Sequence, residues 1–284
     1  MQTTDPIQAH RHWLITGVSS GFGRELAEAA LARGDKVVGT LRQAAQAQAF
    51  SQLAPDRSLG VVLDVTNSVA IPAALQQALA LAGHIDVLVN NAGYGFFAAI
   101  EETTMAEARQ VMETNFFGLL TVTQALLPHL RSRRRGHVIN LSSMAGIVGL
   151  PGCGLYNASK FAVEGLTEAL AIELAPLGIH VTVIEPGGFR TNFGAGSMRM
   201  GERIIDDYAQ TAGRSRQGMQ AFSAHAKGDP KKAAAAILQV VDTPNPPLRL
   251  VLGQDVLRAA RQKVQQLQQQ LDAWEALSVG TNFD

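Results

Sequence analysis

The sequence predicts one α/β domain built on a doubly wound, mostly parallel β-sheet. Short runs of Val, Ile and Leu alternate with longer helical patterns along most of the 284 residues. Strands that are apolar on both faces are typical of parallel sheets with helices on each side. The right-handed crossover between parallel strands then favours a doubly wound arrangement.

Seven apolar runs are the predicted strands. In chain order they are "HWLITGV", "KVVGTL", "LGVVLDV", "IDVLVNNAG", "HVINLSS", "HVTVIEPG" and "LRLVLG". The segments between them include "RELAEAALARG", an Ala/Gln-rich stretch, "VAIPAALQQALALAG", a long helix after "NNAG", "YNASKFAVEGLTEALAIELAPLG" and "PKKAAAAILQVVDT". Their length and apolar periodicity favour helices. The chain contains neither a Pro/Gly/Ser-rich linker nor a repeat, so a single domain is expected.

Two regions depart from this alternation. Residues 192 to 229 are rich in Gly, Met, Arg and Ser and have weak periodicity, which favours a mobile substrate lid. Residues 254 to 277 form a Gln-rich helical extension with an apolar stripe. The stripe consists of Leu257, Val264, Leu267, Leu271, Trp274 and Leu277. Packing on the domain's own surface is the preferred interpretation, and a partner-binding helix is the alternative.

Composition excludes several classes of function. The 24 basic and 24 acidic residues balance, so neither nucleic acid nor membrane is expected as a partner. The single cysteine, Cys153, fits a reducing compartment, and its expected role is a small loop or pocket-lining residue. No stretch approaches the roughly 18 apolar residues of a membrane span. We therefore expect a soluble, cytoplasmic protein.

A glycine-rich turn follows the first predicted strand. In "TGVSSGFG", Thr16 to Gly23, Gly17 suits a tight turn, Gly21 close backbone approach, and Gly23 helix packing on the strand. Helix N-terminal amides after such a turn bind a pyrophosphate. The turn between strand and helix therefore predicts a nucleotide site.

The end of the second strand bears on cofactor choice. NAD sites usually carry an acidic residue here for the ribose 2′-hydroxyl, whereas "GTLRQ" has Leu41 and Arg42. A guanidinium binds a 2′-phosphate bidentately, so NADP is favoured over NAD. Alternatively Arg42 extends into solvent and specificity falls to Ser19, Ser20 or their neighbours.

An ordered series of motifs resembles the short-chain dehydrogenase/reductase family, whose fold is a Rossmann fold. The series is "TGVSSGFG", Asp64 in "LDV", "NNAG" at Asn90 to Gly93, Asn115 in "TNFFG", "NLSS" ending at Ser143, "YNASK" at Tyr156 to Lys160, and "PGGFRT" at Pro186 to Thr191. The resemblance covers residues 12 to 195, and "TGVSSGFG", "GTLR" and "YNASKFAVEGL" look similar to the steroid and retinol dehydrogenase branch.

The resemblance implies a catalytic set of four residues. Tyr156 would be the general acid or base, and Ser143 would hold the substrate oxygen. Lys160 would bind the nicotinamide ribose and favour tyrosinate, while Asn115 would hold a water linked to Lys160. Alone, each has an ordinary explanation: helix surface for Tyr156 and Lys160, a turn cap for Ser143, a backbone hydrogen bond for Asn115.

The resemblance also implies the cofactor and substrate contacts. The predicted cofactor-binding residues are Gly17, Ser19, Ser20, Gly21, Phe22, Gly23, Arg42, Asp64, Val65, Asn91, Ala92, Gly93, Tyr156, Lys160, Pro186, Gly187 and Thr191. The predicted substrate-binding residues are Ser143, Tyr156, Tyr94 and Phe193. The predicted pocket walls are Tyr94 to Phe97, Met144 to Leu155, Gly188 to Phe193, and Met198, Met200, Tyr208, Met219 and Phe222.

Charge arithmetic supports a tyrosine and lysine pair. A phenol of pKa about 10 must drop by roughly 2 to 3 units to exchange protons near neutrality, which is about 3 to 4 kcal/mol. A unit charge at about 4 Å in an effective dielectric of about 20 supplies about 4 kcal/mol. Residues i and i+4 share a helix face, so Tyr156 and Lys160 are expected to reach one cleft.

The resulting expectation is an NADP-dependent carbonyl reductase or alcohol dehydrogenase acting on a hydrophobic ketone, aldehyde or secondary alcohol. The alternatives are a cofactor-binding sensor or scaffold without turnover, and an epimerase or dehydratase. A serine hydrolase lacks its G-x-S-x-G elbow, and the seven histidines show no metal-binding spacing, so no metal is expected. The family resemblance also implies a homodimer or homotetramer, through the helices that contain Asn115 and Tyr156.

Overall fold

Seven parallel strands form the central sheet of the molecule. The computed structural model describes residues 10–191 and 197–283, without side chains from 220 to 225. The nine strands are β1 (His12–Ile15), β2 (Lys36–Leu41), β3 (Ser58–Val62), β4 (Val87–Asn90), β5 (Gly95–Phe97), β6 (Gly136–Leu141), β7 (Ile179–Pro186), β8 (Met198–Met200) and β9 (Arg249–Leu252). The main sheet has the order β3-β2-β1-β4-β6-β7-β9, with every pair parallel. The predicted doubly wound, Rossmann-type sheet is confirmed.

Helices cover both faces of this sheet. They are α1 (Gly21–Ala32), α2 (Ala44–Ser51), α3 (Ile71–Ala82), α4 (Met105–Met112), α5 (Gly118–Arg133), α6 (Gly154–Leu174), α7 (Arg214–His225), α8 (Pro230–Asp242) and α9 (Gln254–Val279). One buried apolar cluster joins the sheet to α3, α5 and α6, through side chains such as Leu75, Leu126 and Leu170. A second cluster joins the opposite face to α1, α2 and α8, through residues such as Phe50 and Ile237. The two cores fix the sheet between two helical layers.

The strand order places a crevice at the centre of the sheet. The chain runs outward from β1 to β3 and then returns to β4, which pairs with the other side of β1. Loops after β1 and β4 therefore diverge to opposite faces. Ligands of such sheets bind at this point, outside the carboxyl ends of the strands.

The predicted long helix after β4 is interrupted by a π-helical turn. Helix α4 begins at a capping box of Thr104 and Glu107, and the turn Glu113–Phe117 separates it from α5. Asn115 lies in this turn and is 1% exposed. Single π-turns widen a helix locally and are frequent at functional sites.

The predicted lid region has more regular structure than its sequence suggests. Strand β8 pairs in parallel with β5, and short turns lead from it into α7. Arg216 of α7 donates from both terminal nitrogens to the Glu102 carboxylate, at 2.9 Å each. Glu102, which is 0% exposed, also accepts from the backbone of Ile205 at 2.9 Å. A buried carboxylate therefore ties this segment to the main body.

The preferred interpretation of the C-terminal helix is wrong. Val256 is buried, but every residue from Arg261 to Phe283 is exposed, including Trp274 at 63%. The helix contacts β9 and residues 144–146. Since its residues are exposed from Arg261 onward, most of its apolar stripe is not covered by the residues that the structure describes.

None of the helices in the described ranges combines the length and the apolar character that crossing a membrane requires.

Candidate active site

A cavity of about 690 Å³ opens at the carboxyl ends of β1, β2, β4, β6 and β7. The predicted residues on its wall are Gly17, Ser19, Ser20, Gly21, Phe22, Arg42, Asp64, Val65, Asn91, Ala92, Gly93, Tyr94, Ser143, Tyr156, Lys160, Pro186, Gly187 and Thr191. Gly23 and Asn115 lie behind this wall, and Phe193 falls outside the described residues. Residues spread over 175 positions of sequence thus meet at one site because parallel strands end at one edge.

The glycine turn after β1 has the conformation that its sequence predicts. Gly17 and Gly21 have φ of +72° and +61°, in the left-handed region that favours glycine. A Cβ on Gly23 would lie 2.4 Å from Asn91 Nδ2 and 2.5 Å from the Gly17 carbonyl oxygen. This close packing sets the start of α1, so that Gly21 and Phe22 line the cavity.

Thr16 and Asn91 join the turns after β1 and β4. The Thr16 hydroxyl oxygen accepts from the backbone of Asn91 at 2.9 Å and of Ala92 at 3.0 Å. The Asn91 side chain donates to the carbonyls of Thr16 and Gly17, at 2.8 and 2.9 Å. Thr16 was not among the predicted site residues, although its place at the head of the glycine turn is a signal. It holds together two loops that line the cavity.

Tyr156 and Lys160 lie one turn apart on α6 and both reach the cavity. They are 8% and 6% exposed, and Lys160 Nζ lies 5.9 Å from the centre of the Tyr156 ring. Lys160 donates to the carbonyl of Leu141, at the end of β6, at 2.7 Å. The hydrogen bond to the strand end fixes the ammonium beside the aromatic ring.

Ser143 caps a turn and also contacts Tyr156. Its hydroxyl accepts from the backbone of Ala145 at 3.2 Å and so caps the short turn that follows β6. The same side chain is hydrogen-bonded to the phenol of Tyr156. Ser143 and Tyr156 therefore present a joined pair of hydroxyl groups to the cavity.

Asn115 acts on the cavity wall through its side chain. Its Oδ1 accepts from the backbone of Tyr94 at 3.0 Å, and its Nδ2 donates to the Tyr94 carbonyl at 2.9 Å and to Ser159 Oγ at 3.1 Å. A Cβ on Gly93 would lie 3.0 Å from Asn115 Oδ1 and 3.8 Å from Lys160 Nζ. The side chain fixes Tyr94 in the wall and places the π-turn beside the lysine.

Burial has the largest effect on the pKa values of Tyr156 and Lys160. It raises the pKa of Tyr156 to about 12, while the bond from Ser143 acts in the opposite direction. Burial also lowers the pKa of Lys160 to about 8, against the attraction of Glu164. The lowered phenol pKa expected from the sequence is therefore wrong for this chain by itself. The charge arithmetic counted attraction and left out the cost of desolvating a phenolate.

A cluster of three charged residues on α6, β7 and β9 was not predicted from the sequence. Arg249 of β9 donates to Glu164 of α6 and, at 2.5 Å, to Glu185 of β7. Burial raises the pKa of Glu164 to about 7, and Arg249 holds it down. A glutamate inside the apolar strand "HVTVIEP" was the available signal, because buried carboxylates require a partner. The cluster places a buried carboxyl group of raised pKa one helical turn beyond Lys160.

The loop after β7 is fixed by a residue far along the chain. The Asp255 carboxylate accepts from the backbone of Gly188 at 2.8 Å, and a Cβ on Gly187 would lie within 2.5 Å of that carboxylate. Gly187 in turn donates to the Leu252 carbonyl at 2.9 Å. The first turn of α9 therefore positions "PGG", one of the predicted cofactor segments.

One part of the cavity wall, near the predicted substrate-binding residues, is mainly apolar. It includes Tyr94, Phe97, Met144, Leu150, Cys153, Phe189 and Met219. Met198, Met200 and Tyr208 are not on this wall: both methionines belong to β8, and the Tyr208 phenol donates to Glu101 at 2.7 Å. The Phe222 side chain falls outside the described residues. Burial raises the pKa of Cys153 to about 12, so its thiol lines the pocket in neutral form.

Comparison with known proteins agrees with this geometry. Residues 11–200 match the family model described as short chain dehydrogenase. The chain is 36% identical over 270 residues to "Oxidoreductase BOA17" of Botryotinia fuckeliana, covering 95% of this chain and 98% of that protein. It is 40% identical over 246 residues to a 3-ketodihydrosphingosine reductase of Bacteroides thetaiotaomicron, covering 84% and 87%.

Solved structures show the same fold. A short-chain dehydrogenase from Streptomyces avermitilis is 43% identical with a TM-score of 0.91, covering 98% of this chain and 100% of that one. A serine dehydrogenase solved in complex with NADP+ is 27% identical with a TM-score of 0.74, covering 85% and 94%. The sheet order, the glycine turn and these matches lead to one conclusion: the chain belongs to the short-chain dehydrogenase/reductase family of NAD(P)-dependent oxidoreductases.

Proposed function

We propose that this chain is an NADP(H)-dependent carbonyl reductase or alcohol dehydrogenase that acts on a hydrophobic ketone, aldehyde or secondary alcohol. One observation carries the proposal: Ser143, Tyr156 and Lys160 meet on the wall of a cavity whose other walls are a glycine turn and apolar side chains. Ser143, Tyr156 and Lys160 would carry out the proton transfer. The glycine turn suits a nucleotide, and the apolar side chains suit an apolar substrate.

The cavity suits a dinucleotide. A side chain at Gly17, Gly21 or Gly23 would require either a strained backbone or a shift of Asn91, so the turn stays open to phosphate groups. The glycine turn and the start of α1 would hold the pyrophosphate, Asp64 and Val65 the adenine, and Asn91 to Gly93 a ribose. Pro186 to Thr191 would hold the nicotinamide, which supplies or accepts the hydride.

The chain's own residues handle the proton and the substrate oxygen. During reduction, hydride adds to the carbonyl carbon while the Tyr156 hydroxyl gives its proton to the oxygen. Ser143 donates a hydrogen bond to that oxygen as negative charge develops on it. Lys160 stabilises the tyrosinate that remains until a proton returns. Oxidation of an alcohol runs these steps in reverse, with Tyr156 as the base.

The electrostatics of the pair suit a general acid at Tyr156. With a pKa raised to about 12, the Tyr156 phenol is protonated at neutral pH, as a general acid must be. Lys160, with a pKa lowered to about 8, is largely charged at the same pH. The chain is therefore in the protonation state that carbonyl reduction uses.

The cofactor proposed is NADP(H). Arg42 lies on the cavity wall directly after β2, beside Leu41 and Gln46, and is exposed. Its guanidinium can turn toward a 2′-phosphate, and no carboxylate stands at the adjacent wall positions Leu41 and Gln46 to repel one.

The substrate proposed is an apolar carbonyl compound. Phe97, Met144, Leu150 and Phe189 line the cavity near Tyr156 and favour hydrocarbon over a charged sugar. The relative named a 3-ketodihydrosphingosine reductase supports a ketone as the oxidised form.

We also propose that two copies pair through α5 and α6. Phe117, which directly precedes α5, and Phe161 of α6 are 45% exposed, and Ile172 of α6 is 77% exposed. Such side chains are depleted on free surfaces and enriched in subunit contacts. The family resemblance places its usual two-fold interface at the same helices.

Replacing Tyr156 by Phe removes the proton donor and keeps the aromatic packing. We expect kcat for ketone reduction to decrease by about 10²- to 10⁴-fold, with NADPH affinity retained. NADPH oxidation with a panel of hydrophobic ketones measures the first quantity, and NADPH fluorescence the second. Ser143→Ala is the companion variant, expected to lose turnover without losing the cofactor.

The same panel separates the alternatives. A wild-type protein that binds NADPH and oxidises none with any ketone or aldehyde is a sensor or scaffold. Product formation without net NADPH consumption indicates an epimerase or dehydratase.

The pH dependence follows from the Lys160 charge. Lys160 carries its proton below a pKa of about 8, so the reduction rate is expected to be steady below that pH and to decline above it. The Tyr156 phenol remains protonated throughout, since its pKa is about 12. A profile of kcat at saturating NADPH checks this expectation. Lys160→Met should be slow at every pH and lose the decline, and wild-type turnover in that variant at neutral pH would contradict the assigned role.

Replacing Arg42 by Gln tests the cofactor preference. We expect KM for NADPH to rise about tenfold, the order of one charge-assisted contact, with KM for NADH little changed. Arg131→Gln, an exposed arginine at the end of α5, is the matched control and should change neither value. Equal effects on both cofactors would assign Arg42 to solvent.

Replacing Gly23 by Ala tests the fit of the glycine turn. The added Cβ would displace Asn91 or the Gly17 carbonyl, at a cost of about 1 to 3 kcal/mol. We expect NADPH affinity to drop about tenfold, measured by fluorescence titration. Gly165→Ala on α6 is the control, because a Cβ there meets nothing within 4 Å. Unchanged affinity in the Gly23 variant would place the pyrophosphate elsewhere.

A further inference from the structure

We propose that helix α9 pairs antiparallel with α9 of a second copy of this chain. The proposal concerns an interface separate from the cavity and from the outer faces of α5 and α6. Its observations are the spacing of the apolar residues on α9, their exposure, and the arrangement of charge along the helix.

The apolar residues of α9 follow a heptad. Leu257, Ala260, Val264, Leu267, Leu271 and Trp274 are separated alternately by three and four residues. This spacing keeps one seam on the same side of a helix for five turns and is the pattern of two-stranded coiled coils. Helices that pack on their own domain usually have a wider and less regular apolar face.

The seam is exposed in the single chain. The exposed fractions are 68% for Val264, 50% for Leu267, 59% for Leu271 and 63% for Trp274. At about 1.5 Å per residue, the 26-residue helix is about 39 Å long. Apolar patches on monomers rarely exceed a few hundred Å², and larger ones mark contacts with another molecule. Leu277 at 66% and Val279 at 60% extend the patch to the end of the helix.

The described residues of the domain leave this seam uncovered. Val256 is fully buried and Asp255 is bonded to Gly188, so the first turn of α9 is fixed on the body. The helix continues from there without a break to Val279. Any partner of the seam must therefore come from outside the described fold.

The charges on α9 select a second copy in antiparallel orientation. Apart from Asp255, which is bonded to Gly188, the charges of the first half are Arg258, Arg261 and Lys263, and those of the second half are Asp272 and Glu275. An antiparallel pair places each basic half beside the acidic half of the other copy. A parallel pair would align basic with basic and acidic with acidic. In the register that layers Leu267 on Leu271 of the second copy, Arg261 and Glu275 flank the seam opposite each other.

The polar face of α9 argues against a lipid surface as the occupant. Six glutamines lie between residues 262 and 270, and charges of both signs flank the seam. Helices that lie on membranes carry a strongly charged polar face rich in Lys and Arg. A neutral face with sign reversal along its length suits a protein seam.

Charge reversal provides the sharpest test because Arg261 and Glu275 are exposed and outside the cavity. We expect Arg261→Glu alone, and Glu275→Arg alone, to raise the dissociation constant of the assembly about tenfold or more. The double variant restores the opposite-charge pairs and should return to within about threefold of wild type. Sedimentation equilibrium of the full-length chain over a range of concentrations measures each constant.

A second pair of variants tests the seam. Leu267→Glu with Leu271→Glu should halve the mass of the assembly measured by light scattering, while Gln265→Glu with Gln269→Glu on the opposite face should leave it unchanged. NADPH binding and the circular dichroism spectrum are expected to match wild type in all variants, which shows that the domain is folded.

The proposal is overturned if wild type and the Leu267→Glu/Leu271→Glu variant have the same mass, or if the double charge reversal fails to recover association. It is also overturned if wild type floats with phosphatidylcholine/phosphatidylglycerol vesicles and the leucine variant loses this binding without a change in mass. The last result would assign α9 to a membrane surface. Ile172→Glu on α6 disrupts the other proposed contact, so the two interfaces can be told apart by which variant halves the mass.

Discussion

The hydrogen bonds between the turns after β1 and β4 are the constraint on which the site depends. The register of β1 with β4 ends at Ile15 and Val89, and the chain then turns toward opposite faces of the sheet. Thr16 and Asn91 join the two turns with four hydrogen bonds of 2.8 to 3.0 Å. The glycine turn, the start of α1 and the wall at Gly93 all follow from this junction. Gly23 must be glycine because Asn91 occupies the space beside it.

The pKa values of Tyr156 and Lys160 reflect two opposing effects, burial and polar neighbours. Burial disfavours both a phenolate at Tyr156 and an ammonium at Lys160. It therefore raises the pKa of Tyr156 and lowers the pKa of Lys160. The Leu141 carbonyl and the Glu164 carboxyl group offset part of that cost for the lysine. Arg249 in turn holds Glu164 and Glu185 together. The protonation of Lys160 and Tyr156 thus depends on a chain of polar groups that extends to Arg249 of β9.

Local patterns predicted much of the molecule. The strand runs, the glycine turn and the Tyr156/Lys160 spacing depend on neighbours a few residues apart, so sequence contains the information directly. The predicted "KVVGTL" coincides with β2. The Glu164, Glu185 and Arg249 cluster could not be found in this way because its members are up to 85 positions apart. The prediction of a lowered pKa for the Tyr156 phenol failed for a related reason, since the depth of burial is a property of the folded chain. For α9, periodicity identified an apolar face but contained nothing about what lies against it.

Asp255 connects the C-terminal helix to the loop after β7, which lines the cavity. Its carboxylate accepts from Gly188, and a single side-chain atom added at Gly187 would collide with it. The backbone of the "PGG" loop is thereby held between Leu252 of β9 and the first turn of α9. The start of α9 therefore acts as a brace for one wall of the cavity, and removing it would take away the contact that holds this loop. The exposed remainder of the helix makes no such contact within the described residues.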